Sequence, residues 1–427
     1  MRGILIFLLL CSIHVKAELI FVIELSRHGA RMPQTNPSEK DFPWIKGFME
    51  LTPAGMRQHY LFGTALRKRY IESASHKILG EEYNREEILI MAVNHTRTLA
   101  SAHAQLLGLY PEMKGKKINP NLVQKAIPPN EMDYKEMIKS LGEYTVMYGV
   151  GIEPIITVQS DIDKLFYSEK ACKSTPDLIN YHKNNIKAEI AKKEEEFKDI
   201  KKKLKEAMKI KDENKGNTID EVTKYRDVLI SGITDGELDD NLQKLVDESL
   251  PLYLYHKYDM HIKSEYKEYL LAKLMATPLL KQVKTYLIKA KENKNGKLKY
   301  VMNVASDTLM QAILYQILKE QYYLSFASGL FLELYKKGDS YEVQAIFNNA
   351  ECTYKLNDFL TFIDQITYNE AEFEHYCNTL VTEERIEENL LLPFIISTAT
   401  LVLVVIAMII LVKDKPKEEN ETPSLIY

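Results

Sequence analysis

The feature that most constrains this chain is the sequence Arg-His-Gly-Ala-Arg-Met-Pro at residues 27–33, which places a histidine between two arginines. It directly follows an apolar run, residues 19–25, whose β-branched and aromatic side chains are typical of a buried strand. The motif is therefore predicted to form the loop beyond the carboxyl end of that strand, where open α/β sheets bind their ligands. Because guanidinium groups pair well with phosphate oxygens, Arg27 and Arg31 predict an anion clamp around His28, a potential nucleophile.

Two further strand-like runs end close to polar residues that fit the same site. Residues 88–93 are followed by Arg97, and residues 300–305 are followed directly by Ser306 and Asp307. The carboxyl ends of parallel strands meet at one edge of a sheet, so these side chains are predicted to lie beside the motif. Alone, Arg97 would be typical of the protein surface; as a member of this set it is predicted to bind phosphate. Asp307 is predicted to be a general acid, a helix N-cap, or both.

These motifs resemble those of a known family, the histidine acid phosphatases, and the lysosomal and prostatic type in particular. Besides residues 27–33, the family's characteristic blocks are matched at residues 51–60, 97–102, 300–309 and 326–328. The resemblance extends over residues 19–362 and is weakest between residues 125 and 270. It implies an α/β fold with a parallel-sheet histidine phosphatase core. It also implies a mainly helical insertion at about residues 125–270, where family members carry a substrate-selecting cap.

The resemblance implies an acid phosphatase that hydrolyses phosphate monoesters through a phosphohistidine on His28. Arg27, Arg31 and Arg97 would stabilise the charge on the transferring phosphoryl group, so neither a metal nor another cofactor is expected. The same cations would keep the imidazole neutral, as a nucleophile must be. Asp307 would protonate the leaving alcohol and then help water to attack the phosphohistidine.

Ser306 departs from the family pattern, which has a histidine before the aspartate. That histidine binds phosphate in the family, whereas a serine can donate one hydrogen bond but has no charge. We therefore expect Ser306 to contact phosphate more weakly, in an enzyme whose activity is reduced or shifted to other substrates. Two alternatives remain open: a catalytically inactive, membrane-anchored homologue that binds phosphate, and a phytase-like polyphosphate phosphatase.

The two ends of the chain predict a membrane protein of the secretory pathway. Residues 1–17 combine an early arginine, an apolar core and a small terminal residue, as in a cleaved signal peptide. Residues 390–412 are uncharged and apolar over a length that can span a bilayer. Glutamates precede this segment and lysines follow it, which predicts a lumenal phosphatase domain at residues 18–389 and a cytosolic tail at residues 413–427.

The tail contains Glu421, Leu425 and Ile426, which resemble an acidic dileucine sorting signal. This resemblance predicts sorting adaptors as partners and the lysosome or endosome as the destination. The alternative is that sorting adaptors do not recognise the tail and that the protein stays at the plasma membrane.

Cysteine content and net charge complete the prediction. Loss of Cys11 with the signal peptide would leave Cys172, Cys352 and Cys377, an odd number that permits one disulfide. Their wide spacing argues against a zinc site. The family resemblance favours a bond between Cys172 and Cys377. The formal net charge of −4 predicts no nucleic-acid partner. The Lys- and Glu-rich segment 186–211 has apolar residues at helical spacing, which predicts an amphipathic helix.

Overall fold

The fold is built on one six-stranded sheet. The computed structural model describes residues 17–111, 117–128, 133–146, 153–210, 218–259, 268–318, 322–347 and 350–379. Within these ranges the strands are β1 (Glu18–Arg27), β2 (Ile88–Ala92), β3 (Tyr300–Ala305), β4 (Gly329–Lys337), β5 (Ser340–Phe347) and β6 (Ala350–Lys355). Their order across the sheet is β2-β3-β1-β4-β5-β6. Strands β1, β2 and β3 pair in parallel, whereas β4, β5 and β6 add in antiparallel fashion.

The mixed sheet corrects the predicted parallel sheet. Only Gly338 and Asp339 connect β4 with β5, and so short a connection reverses the chain direction. Gly338 has a φ of 62°, a conformation that glycine adopts without strain and that two-residue hairpins favour. The parallel prediction therefore holds for the three strands that end at the site and is wrong for the other half of the sheet.

Helices cover both faces of the sheet. The helices of the described residues are α1 (Pro53–Arg67), α2 (Thr96–Leu109), α3 (Lys135–Leu141), α4 (Ser168–Ala171), α5 (Thr175–Asn185), α6 (Lys187–Glu196), α7 (Lys198–Ala207), α8 (Thr218–Thr234), α9 (Gln243–Glu248), α10 (Leu250–Leu254), α11 (Glu268–Lys291), α12 (Asp307–Leu318), α13 (Leu356–Ile366) and α14 (Glu370–Asn378). Helices α1 and α2 pack on one face, where Leu66 and Leu106 share a core with Val22 of β1. Helices α11, α12 and α13 pack on the other face, where Leu279 shares a core with Ile23. Alternate side chains of β1 thus enter different cores, as the two-residue period of a strand requires.

The range 125–270, predicted to be a helical insertion, contains helices α3 to α10. Several of them share an apolar core of their own, which includes Leu204, Val222 and Leu252. The segment expected to be one amphipathic helix forms α6 and α7, because the chain leaves helical geometry at Phe197 (φ −101°, ψ 11°). Leu204 on α7 is fully buried, which supports the amphipathic pattern.

The predicted fold class also included a C-terminal transmembrane helix, and this part is corrected. Across the described residues, every helix is too short or too polar to cross a bilayer. Residues 390–412, on which the prediction rested, lie outside the described residues. The same holds for residues 1–16 of the predicted signal peptide and for Glu421, Leu425 and Ile426 of the tail.

Candidate active site

The site lies at the sheet edge where the parallel strands end. Arg27, the last residue of β1, pairs in register with Ala305, the last residue of β3, and β2 ends on the far side of β3. The chain segments that leave these strands carry the six residues singled out from the sequence, which are Arg27, His28, Arg31, Arg97, Ser306 and Asp307. All are buried except Asp307, whose side chain is 13% exposed. The edge therefore carries a cluster of polar side chains that is largely shielded from solvent.

The main chain of the loop at residues 27–33 is held by several hydrogen bonds. The amide of His28 donates to the carbonyl of Ala305 at 3.1 Å, and the carbonyl of His28 accepts from the amide of Ala327. Side chains of α1 and α2 hold the next residues, through Gln58 to the amide of Ala30 and Ser101 to the amide of Gly29. A Cβ at position 29 would lie 2.3 Å from the carbonyl oxygen of Gly55. Glycine is thus needed there so that the loop can pack against the start of α1.

A buried polar column supports this loop from below. The Nε2 of His59 donates to the carbonyl of Arg27 at 2.9 Å, and its Nδ1 is bonded to Gln105. Gln105 is bonded in turn to Glu24, which also accepts from the hydroxyl of Tyr300 at 2.6 Å. Burial lowers the pKa of His59 and raises the pKa of Glu24, so both directions favour neutral side chains. The column therefore fixes the main chain at Arg27, the first residue of the loop.

The imidazole of His28 is oriented by a hydrogen bond to its own loop. Its Nδ1 lies 2.8 Å from the carbonyl oxygen of Gly29. A carbonyl can only accept, so Nδ1 carries the proton and the neutral ring keeps its lone pair on Nε2. Burial first, and then the charges of Arg27, Arg97 and Arg31, lower the pKa of His28 well below its usual value. The lowered pKa favours the neutral ring, with Nε2 available as a nucleophile.

The arginines offer donors that the protein does not satisfy. In the described part of the chain, the Nε atoms of Arg27 and Arg97 are buried and have no hydrogen-bond partner. Burial, followed by the charge of Arg31, lowers the pKa of Arg97 to about 10, which still leaves it charged below neutral pH. Buried donors without a partner are rare in proteins because each carries a desolvation penalty. An anion in this pocket would satisfy them.

Arg31 is held by a residue that the sequence analysis did not identify. Asp227 of α8 accepts from both terminal nitrogens of Arg31, at 3.2 and 2.9 Å, in a bidentate pair. It also accepts from the amide of Gln34 at 2.8 Å. The insertion therefore fixes the direction of Arg31 and offsets part of its charge.

Asp307 lies at the first residue of α12 between two donors. Its Oδ2 is 3.3 Å from a guanidinium nitrogen of Arg27 and accepts from the hydroxyl of Tyr253 at 3.2 Å. Burial alone would raise the pKa of Asp307, but the charges of Lys257 and Arg27 outweigh it and hold the pKa well below its usual range. Asp307 is thus ionised in the unliganded site.

The insertion also supplies a wall of the site that no sequence motif indicated. Arg226 stacks on the rings of Tyr253 and Tyr323, with its guanidinium carbon 4.4 and 5.0 Å from their centroids. Burial raises the pKa of Glu169 to about 7. The charge of Lys257 opposes this shift, and the charge of Asp307 adds to it. Arg226, Tyr253 and Glu169 come from separate helices of the insertion and Tyr323 from the segment before β4, so spacing along the chain carries no signal for them.

Comparison with known proteins identifies the family. The model of the histidine phosphatase superfamily (branch 2) matches residues 18–348. The chain belongs to this superfamily. Human lysosomal acid phosphatase is 39% identical over 122 residues, which are 28% of this chain and 28% of that protein. Human prostatic acid phosphatase is 38% identical over 122 residues, 28% of this chain and 30% of that protein. The matched segment thus spans less than a third of the length of these relatives.

Solved structures support the fold of this superfamily member. Klebsiella sp. ASR1 phytase superimposes with a TM-score of 0.59 at 15% identity, over 86% of this chain and 98% of that one. Hafnia alvei phytase in complex with myo-inositol hexakis sulphate gives a TM-score of 0.56 at 13% identity, over 83% and 98% of the two chains. At these identities the likeness concerns the fold alone.

The disulfide that the family resemblance implied is present in this histidine phosphatase. Cys172 and Cys377 are bonded across 205 residues of sequence, and Cys352 is a free, exposed thiol. The bond joins the residue after α4 to α14, and the amide of Ser174 donates to the carbonyl of Cys377 next to it. It therefore ties the segment that carries Glu169 to the end of the phosphatase domain.

Proposed function

We propose that this protein is a phosphatase that hydrolyses phosphate monoesters through a phosphohistidine on His28. The observation that carries the proposal is a neutral, buried imidazole with a free Nε2 among three arginines, two of which hold unsatisfied donors. Membership of the histidine phosphatase superfamily and the likeness to acid phosphatases support it.

In the first step, Nε2 of His28 forms a bond to phosphorus while the bond to the ester oxygen breaks. Arg27, Arg31 and Arg97 balance the charge on the equatorial oxygens of the phosphoryl group. A bound phosphate monoanion offsets these cations, so the pKa of Asp307 rises on binding and Asp307 can take up the proton of the monoanion. It then passes this proton to the leaving alkoxide.

In the second step, water replaces the nitrogen at phosphorus. Asp307, now ionised, accepts a proton from the attacking water as the new oxygen–phosphorus bond forms. The nitrogen–phosphorus bond breaks, and His28 returns to its neutral form with inorganic phosphate in the pocket.

The test is phosphate release from an aryl phosphate by the purified protein between pH 4 and 8. His28→Ala should reduce turnover by at least roughly 1,000-fold, because loss of a nucleophile removes the covalent route entirely. The variant should keep the circular dichroism spectrum of the wild type, since His28 lies in a loop. Wild-type turnover in His28→Ala would overturn the proposal, whereas phosphate binding without turnover in the wild type would favour the inactive homologue.

A phytase-like activity is the second candidate, and the likeness of the fold to phytases favours it. The same assay separates the two activities when the aryl phosphate is replaced by inositol hexakisphosphate. A higher kcat/KM for the polyphosphate would select this candidate.

We infer that the protein follows a secretory or lysosomal route. The Cys172–Cys377 disulfide fits an oxidising compartment, and lysosomal acid phosphatases are among the relatives. Co-localisation of the full-length chain with lysosomal and endoplasmic reticulum markers checks the inference, and a cytosolic distribution would overturn it.

A further inference from the structure

Residues 250–259 of the insertion form a helical segment that contacts Asp307. The segment runs through α10 and continues as a short π-helix, Tyr255–Asp259. The hydroxyl of Tyr253 donates to Asp307 at 3.2 Å, and the buried guanidinium of Arg226 lies against the ring of Tyr253. Arg226 is fixed in turn by a hydrogen bond from its Nε to the carbonyl of Val246 at 3.3 Å. The ring of Tyr253 is therefore held in place by Arg226, which is itself fixed by Val246.

Lys257 follows Tyr253 by four residues, which places it one turn further along the same side of the segment. Its side chain is half-buried. Among the charges near Asp307, that of Lys257 lowers the pKa of the carboxyl most, and Lys257 also lowers the pKa of Glu169. Lys257 therefore lies on the segment that contacts Asp307, close enough for its charge to act on both carboxylates.

Position 306 supplies no positive charge to the site. The family resemblance implies a histidine before Asp307, and this chain has Ser306, which carries no charge. The bidentate pair with Asp227 offsets the charge of Arg31. A bound phosphate ester would therefore meet fewer uncompensated cations than the family pattern implies.

We propose that Lys257 supplies the positive charge that a histidine at position 306 would supply, and that it contacts the phosphate ester beside Asp307. The inference rests on the proposed function and assigns a substrate-binding residue to the insertion.

The test compares Lys257→Met with the charge-conserving Lys257→Arg. Lys257→Met should reduce kcat/KM for an aryl phosphate by on the order of 100-fold and raise the inhibition constant of inorganic phosphate. Lys257→Arg should retain most of both. Lys244→Met is the matched control, because Lys244 is a lysine of the insertion whose side chain is 84% exposed.

Removing the positive charge at position 257 and introducing one at position 306 is the sharper test. Ser306→His should restore kcat/KM and phosphate inhibition in the Lys257→Met background, and the gain there should exceed the gain in the wild type by at least about tenfold. Equal gains in both backgrounds would show that the two positions act independently and would overturn the inference.

Different results would contradict the role of Lys257 and the proposed phosphatase activity. Wild-type kinetics and phosphate inhibition in Lys257→Met, with turnover still dependent on His28, would overturn the role of Lys257 and leave the phosphatase intact. If the wild type shows no turnover dependent on His28, the proposed function fails. Titration calorimetry with inorganic phosphate then decides on Lys257, and an unchanged affinity in Lys257→Met overturns it.

Discussion

At the scale of single residues, Glu169 is expected to change charge close to neutral pH. Burial raises the pKa of its carboxyl to about 7, while Lys257 opposes this shift and Asp307 and Lys170 are its other charged neighbours. Below pH 7 the carboxyl is mainly protonated and leaves Lys257 free for an anion. Above pH 7 it is mainly ionised and competes with the anion for Lys257.

Glu169→Gln should therefore weaken the fall of kcat/KM as the pH rises. The amide stays neutral, so the decline between pH 6 and 8 should become at least about threefold smaller than in the wild type. Profiles of kcat/KM for an aryl phosphate check this, with Glu206→Gln as the control because the Glu206 side chain is 67% exposed. Identical alkaline limbs in Glu169→Gln and the wild type would contradict the assignment.

Sequence reasoning could place only part of the candidate site at this scale. Arg27, His28 and Arg31 occupy one short motif, so their proximity in space follows from their proximity in sequence. Arg97 and Asp307 could be added because both follow strands that end at one sheet edge. Asp227 and Lys257 could not, because tertiary packing of the insertion brings them there and their spacing along the chain carries no pattern.

At the scale of elements, the contact between α1 and α2 depends on glycine. A Cβ at position 63 would lie 2.0 Å from the carbonyl oxygen of Gln105, and one at position 108 would lie 2.0 Å from that of Tyr60. The helices thus approach through their backbones. The same two helices carry Gln58 and Ser101, which hold the loop that contains His28.

Gly63→Ala should destabilise the fold, because the added methyl group meets main-chain atoms that cannot move independently. We expect the free energy of unfolding to fall by about 1–3 kcal/mol, which urea denaturation measures. Gly80→Ala is the control, since its nearest neighbour would be a side-chain oxygen at 3.5 Å. Equal stabilities of the two variants would argue against close backbone packing of α1 and α2.

Secondary-structure elements could be predicted from the sequence where the apolar pattern was clear. Strands β1, β2 and β3 are short apolar runs buried in the sheet, and the sequence indicated each of them within two residues of its ends. The direction of β4 and β5 was not inferred, although Gly338 and Asp339 between two strand-like runs are typical of a hairpin. The break between α6 and α7 leaves no mark in the apolar spacing, because the pattern continues through Phe197.

At the scale of the whole phosphatase domain, the disulfide joins parts of the chain that are far apart in sequence. Cys172 lies at the edge of the insertion and Cys377 lies in α14, so the closed loop spans 205 residues. Closing a loop of this length restricts the unfolded chain strongly, and chain entropy gives a stabilisation of up to about 5 kcal/mol.

Replacement of Cys172 and Cys377 by serine should therefore lower the urea midpoint under non-reducing conditions. Cys352→Ser should leave the midpoint unchanged, because that thiol is free and exposed. A reducing agent should bring the wild type to the midpoint of the double variant. A wild-type midpoint that does not respond to reduction would contradict a stabilising role of the bond.

The hairpin between β4 and β5 has a practical consequence for labelling the molecule. Strand β4 begins opposite Ser26 at the edge of the sheet that carries His28 and ends near Glu18, so Gly338 and Asp339 lie at the far edge. A fluorophore or an epitope inserted between these two residues would be separated from the pocket by the length of the sheet. The protein could then be followed in living cells while the proposed phosphatase activity is assayed on the same tagged protein.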